Sequence, residues 1–308
     1  ADLFARVPPL EPIEISVYGM HPESCAAVTR IPFAFAQSRR GVNLLLERRV
    51  PLVVKSVLLP PLTPERDEFE AWAGSLPEMT RPPNYTLFLD RRSRRDDPRK
   101  DALIESLRPS PQEVLAVLAR NPATYRRNMA QFAARFMGPA GDRLFACGAS
   151  HGMCVDAYGL AQPCMGVRAP ELTAALDGRA GLADAVERFR RLGAMRATNP
   201  DYLSRCARCF LKGLCEQCPA RSWAEHGSLD APVAYLCEAA HAQARHLGWL
   251  GENEMGWEVM DWQERIRGER RPLTGKGVSG AERPCPEQKA KPPLARSERN
   301  PLETERRA

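Results

Sequence analysis

Ile13, Ile15 and Val17 alternate with Glu14, Ser16 and Tyr18, a period of two that predicts a strand with one apolar face, ended at Gly19. From Pro32 to Arg49 the period changes: Phe33, Phe35, Val42, Leu44, Leu45 and Leu46 fall among Arg39, Arg40, Glu47 and Arg48, as on an amphipathic helix. Leu52–Leu59 is rich in β-branched and aliphatic residues and predicts a second strand, closed by Pro60 and Pro61. Thr63-Pro64-Glu65-Arg66 reads as an N-cap with proline at the first helical position, opening a helix toward Leu76. Tyr85–Leu89 predicts a third strand, and the charged stretch Asp90–Asp101 a solvated loop. Strand, helix, strand, helix, strand is the grammar of parallel α/β units, because parallel neighbours need a crossover that is usually helical. Three strands make only a fragment of such a sheet.

Ser110-Pro111-Gln112-Glu113 is a capping box, and a further helix is expected over Tyr125–Phe136; the pair forms a bridge to the cysteine-rich region. Beyond Leu144 helical periodicity returns only at 180–197 and 232–249, with short strands and loops between. Composition shifts after Leu250, and from Arg267 on Pro, Gly, Lys, Arg and Glu prevail, predicting a disordered tail. The expected organisation is an α/β segment at 1–105, a helical bridge at 106–140, a cysteine-rich domain at 141–249 and a mostly disordered tail at 250–308.

A length of 308 residues suits about two domains, and a composition 44% hydrophobic and 27% charged is that of an ordinary globular chain. No apolar run reaches the roughly 18 residues a membrane span needs, so no membrane is expected. A net charge of +6 is small for this length and gives no expectation of nucleic acid as a partner. The chain opens on Ala1, with no methionine before Met20 and no export signal, which reads as an N-terminally incomplete cytoplasmic protein.

The ten cysteines carry the chemistry. Cys147 and Cys164 frame Gly159 as C-x11-G-x4-C, with Cys154 between; Cys206, Cys209, Cys215 and Cys218 form C-x2-C-x5-C-x2-C, and Cys237 lies downstream. Short C-x2-C loops turn two thiolates toward one centre while backbone amides hydrogen-bond the sulfurs, the arrangement of soft-metal sites. Structural zinc is the first alternative, but zinc ribbons space their pairs about 15–20 residues apart and leave C-x11-G-x4-C unexplained. Disulfides come third, for want of an export signal. His151, His226 and His241 are assigned nothing. Cys25 reads as a small buried residue, and Cys285 lies in the tail between two prolines.

This pattern resembles the SPASM domain at the C-terminal end of many radical S-adenosylmethionine enzymes, whose motif is C-x9–15-G-x4-C, a gap, C-x2-C-x5-C-x3-C, a gap, and C. Seven cysteines and a glycine match it here, with x2 in place of x3 before Cys218. The resemblance implies two auxiliary [4Fe–4S] clusters, one on Cys206, Cys209, Cys215 and Cys237, the other on Cys147, Cys164 and Cys218, with Cys154 placed to complete the second. It also implies that Ile13–Gly19 and Leu52–Leu58 are strands four and five of a partial (β/α)6 barrel. Ser16 would then approach the S-adenosylmethionine ribose. The radical-initiating C-x3-C-x2-C motif does not occur in these 308 residues. Its [4Fe–4S] cluster and the S-adenosylmethionine site are therefore expected only in a longer chain, and residues 1–308 alone are not expected to perform the radical step. The implied activity is oxidation or modification of a peptide or protein, with a flavodoxin- or ferredoxin-like reductant as partner. The alternative is a non-catalytic iron–sulfur module that transfers electrons or presents a peptide to a separate catalytic chain.

Overall fold

The structure is a computed structural model that describes residues 1–149, 152–176 and 181–267; His151, Cys285 and the expected tail from 268 onward lie outside the described residues. A short N-terminal helix, α1 (Asp2–Arg6), buries no side chain and is tied to the rest by an ion pair between Asp2 and Arg48. Strands β1 (Ile13–Ser16), β2 (Leu52–Val57) and β3 (Asn84–Thr86) form a parallel sheet in the order β1-β2-β3, with Ile13 opposite Leu52 and Lys55 opposite Asn84. Helices α2 (Pro22–Thr29) and α3 (Ala34–Leu46) connect β1 to β2, and α4 (Arg66–Ser75) connects β2 to β3. The continuous apolar run of β2 reflects its central place. Leu52, Val53 and Val54 are all fully buried, as in a strand covered on both faces. Val17, Val42, Leu45, Phe69 and Ala73 complete that core.

At the end of β1 the chain turns through Gly19 at φ +146°, where a Cβ would stand 2.5 Å from the backbone nitrogen of Cys25. Only glycine meets both conditions. Cys25 itself is buried on α2.

Three local expectations shift. Thr63–Glu65 forms a 3-10 turn and α4 starts at Arg66 rather than at the Thr63 cap. Strand β3 stops at Thr86 because later carbonyls serve side chains instead of a ladder: Leu87 O accepts from Tyr235 and Leu89 O from Arg108. The charged stretch is loop only to Asp97, whose carboxylate caps α5 (Pro98–Ser106) through the Lys100 N–H.

The bridge comprises α6 (Pro111–Leu118), opened by the expected Ser110/Glu113 capping box, and α7 (Pro122–Phe136), capped by Asn121. A small antiparallel sheet, β4 (Cys154–Val155), β5 (Leu160–Gln162) and β6 (Ala174–Ala175), packs Ala161 and Ala174 against Ala185 and Phe189 of α8 (Leu182–Ala194). Helices α9 (Pro219–His226) and α10 (Ala234–His246) come next along the chain.

The stretch after Leu250, which composition joins to the tail, is packed as far as α11 (Trp262–Arg267). Val259 and Ile266 are buried in one core with Tyr125 of α7, Phe210, Ala240 and Trp249, and Trp262 stacks on Phe210 at 5.9 Å. Its apolar residues are sparse, but Val259, Trp262 and Ile266 meet a ready surface. That core joins the bridge to the cysteine-rich region.

Candidate metal centre

Each cysteine of the 206–218 run sits on a tight irregular turn or at a helix start. Cys206 ends a π-helical turn, Tyr202–Cys206; Cys209 precedes the 3-10 turn Phe210–Gly213; Cys215 lies just beyond it. Cys237 stands in the first turn of α10. The four cysteines Cys206, Cys209, Cys215 and Cys237 line one cavity of about 340 Å³, together with Arg205, His241, Met255 and Trp257. Burial drives all four thiols above their ordinary value, Cys206 and Cys209 to about 12 and Cys215 higher still. Repulsion from neighbouring thiolates adds to the rise at Cys206, Cys209 and Cys215. Opposing this, the backbone amides of Leu211 and Gln217, each two residues on, lower Cys209 and Cys215. A cavity that disfavours bare thiolates yet directs amides at sulfur is suited to thiolates bound to a cationic centre.

Among the described residues, no three His, Cys, Asp or Glu side chains converge so as to hold a single metal ion. A tetrahedral zinc needs its sulfurs about 2.3 Å from one point. Four cysteine thiolates are a donor set for either such a zinc or a [4Fe–4S] cluster.

The second set gathers more loosely. Repulsion from Cys164 raises Cys147, and repulsion from Cys147 raises Cys218, in each case after burial as the main cause. Again amides face sulfur: the Ala149 N–H lies 3.4 Å from Cys147 Sγ, and the N–H groups of Ala220 and Arg221 point at Cys218. Cys218 is the N-cap of α9, where the helix dipole favours an anion. Cys154 lies on β4 directly opposite Gln162. Gln162 is 1% exposed, and its Nε2 has no acceptor among the described residues.

Ser16 stands elsewhere. On β1 opposite Lys55 it lines a separate cavity of about 50 Å³ with Phe35, Arg39 and Trp72. The polar face of that sheet is occupied by an ion triad, Lys55 Nζ to Glu14 at 3.1 Å and Arg81 to Glu14 at 2.7 Å.

His226 contacts the Pro232 carbonyl, whereas His241 belongs to the first cavity. It lies one helical turn beyond Cys237 and is 3% exposed. The Gly256 N–H donates to its Nε2 at 3.0 Å, so Nδ1 carries the proton and donates to the Cys237 carbonyl at 2.8 Å. Burial pushes the imidazole down, favouring this neutral form. The Cys237-x3-His241 spacing on a predicted helix was the available signal.

No family model matches the chain, and no curated protein or solved structure matches it. No helix among the described residues is long and apolar enough to cross a membrane.

Proposed function

We propose that this chain is the C-terminal part of a radical S-adenosylmethionine enzyme, carrying two auxiliary [4Fe–4S] clusters that support electron transfer during radical oxidation or modification of a peptide or protein. The observation that carries this reading is the wall of one cavity built by Cys206, Cys209, Cys215 and Cys237, three residues from a single short run and one from a helix about 20 positions later. Cys147, Cys164 and Cys218 would hold the second cluster. The parallel sheet is then the last part of a partial (β/α)6 barrel with Ser16 facing the nucleoside, the reductant is flavodoxin- or ferredoxin-like, and the compartment is cytoplasmic.

When bound, such clusters supply one-electron transfer. The protein's own part is to bind iron through thiolates and to set the backbone amides of Leu211 and Gln217 beside Cys209 and Cys215. Nine cysteines among the described residues are free, which suits ligands kept reduced.

Anaerobic reconstitution with iron and sulfide analysis tests the reading. About eight irons and as many sulfides per chain are expected for two [4Fe–4S] clusters. Cys215→Ala should remove one cluster's paramagnetic-resonance signal, and an unchanged spectrum in Cys154→Ala would assign Cys154 to the fold. Zinc without sulfide would overturn the proposal.

A further inference from the structure

The four-thiol cavity has a wall supplied by a segment with no cysteine. Met255 and Trp257 line it, and Gly256 between them is held from three sides. The Gly256 N–H donates to His241 Nε2 at 3.0 Å, its carbonyl accepts from the Phe210 N–H at 3.2 Å, and a Cβ there would lie 2.7 Å from Cys209 Sγ and 2.8 Å from Leu211 Cγ. The backbone therefore passes closer to a thiol than any side chain permits. The Trp257 ring meets the His241 ring edge-on at 5.3 Å, and the Arg205 guanidinium lies over Trp257 at 6.0 Å.

Both flanks of this segment are anchored without His241. Arg245 donates to the carbonyls of Gly251, Glu252 and Glu254; Arg265 pairs with Glu254; and Trp262 stacks on Phe210. The imidazole acts on the middle of the segment.

We propose that residues 251–260 are a fitted cover over the four-thiol cavity, and that His241 is the positioning residue that holds the cover shut through the Gly256 amide. The covering is a property of the polypeptide; its electronic consequence rests on the cluster reading above. Excluding water from a cluster disfavours its more highly charged reduced form, so the cover would keep the reduction potential low.

The test uses the full chain, metal-free and reduced under anaerobic conditions. A pulse of iodoacetamide and then peptide mass spectrometry give a labelling rate for each cysteine. In His241→Ala the rates of Cys209, Cys215 and Cys237 should rise about tenfold, the shift expected when one buried hydrogen bond no longer opposes local opening. His241→Gln, whose amide can serve both partners, should recover part of the protection. Gly256→Ala should open the same three sites by steric displacement and serves if His241→Ala does not fold. Cys25 and Cys147, which lie in other cores, should be unchanged.

Unchanged labelling at the three sites in both His241→Ala and Gly256→Ala overturns the proposal. A rise at Cys25 and Cys147 equal to theirs overturns it too, because it would mean general loosening. In the reconstituted chain, His241→Ala should raise the midpoint potential and speed iron loss to a chelator. Failure to take up iron and sulfide would defeat the cluster reading while leaving the labelling result to decide the cover.

Discussion

Removing the Glu225 carboxylate should destabilise the protein by more than an exposed ion pair can. Glu225 lies on α9, seven residues beyond the Cys218 cap, and its side chain is 8% exposed. Arg108 reaches both of its oxygens, with Nη1 to Oε2 at 3.4 Å and Nη2 closer, and its side chain is 11% exposed; Arg91 Nε lies 3.2 Å from Oε2. Breaking a buried pair by deleting one partner costs about 3–5 kcal/mol, because the other charge stays buried. Two features reduce that here. Arg91 is more open and keeps Glu105, and Arg108 keeps the Leu89 carbonyl at 2.9 Å and the Tyr235 ring at 4.8 Å. Glu225→Ala is therefore expected to cost about 2–3 kcal/mol, and Glu225→Gln, which retains the shape and an acceptor, about half as much. Urea unfolding monitored by tryptophan fluorescence gives the value, and a cycle with Arg108→Met isolates the coupling. If Glu225→Ala costs less than about 0.5 kcal/mol, the range of exposed pairs, or if the cycle shows no coupling, the burial argument fails.

Packing and titration give two further outcomes. Ile266→Ala should cost about 2–5 kcal/mol by urea unfolding, since Ile266 is fully buried against the core shared by α7 and α10; a loss under about 0.5 kcal/mol would remove the 251–267 segment from that core. The metal-free chain should lose stability as pH rises from about 9 toward 12, because burial holds Cys206 and Cys209 protonated to about 12 while the unfolded chain releases those protons near 9. Below that window the contribution is fully present. The reconstituted chain, its ligands already deprotonated, should show a shallower decline, and Tyr235, also raised to about 12 without a cysteine among the causes, cancels in the difference. Equal slopes in the two forms would refute the assignment of these thiols as ligands.

What the sequence made legible was local. The Ser110/Glu113 box, the alternation of Ile13, Ile15 and Val17, and the aliphatic run of β2 each rest on neighbours a few residues away, and each element lies where it was expected. The cysteine spacing was legible for the same reason: a C-x2-C loop can present two sulfurs without help from distant chain, and the amides that face Cys209 and Cys215 come from two residues on. Cys154 is paired on β4 with Gln162, a placement that its distance from Cys147 along the chain does not reveal. The segment after Leu250 was obscured by averaging. Val259, Trp262 and Ile266 are diluted among Gly and Glu, and their value lies in a surface made by Phe210, Tyr125 and Ala240, which composition does not reveal. His241 required both halves of that knowledge. Its place one turn beyond Cys237 was readable, but its partner is a backbone amide 15 residues away, in a segment whose fold had first to be known. The spacing of thiols can thus be read along the chain, whereas the groups that pack around them depend on long-range packing. In this chain that packing brings Gly256 so close to Cys209 that no side chain fits between, which makes this glycine as constrained as the cysteine it covers.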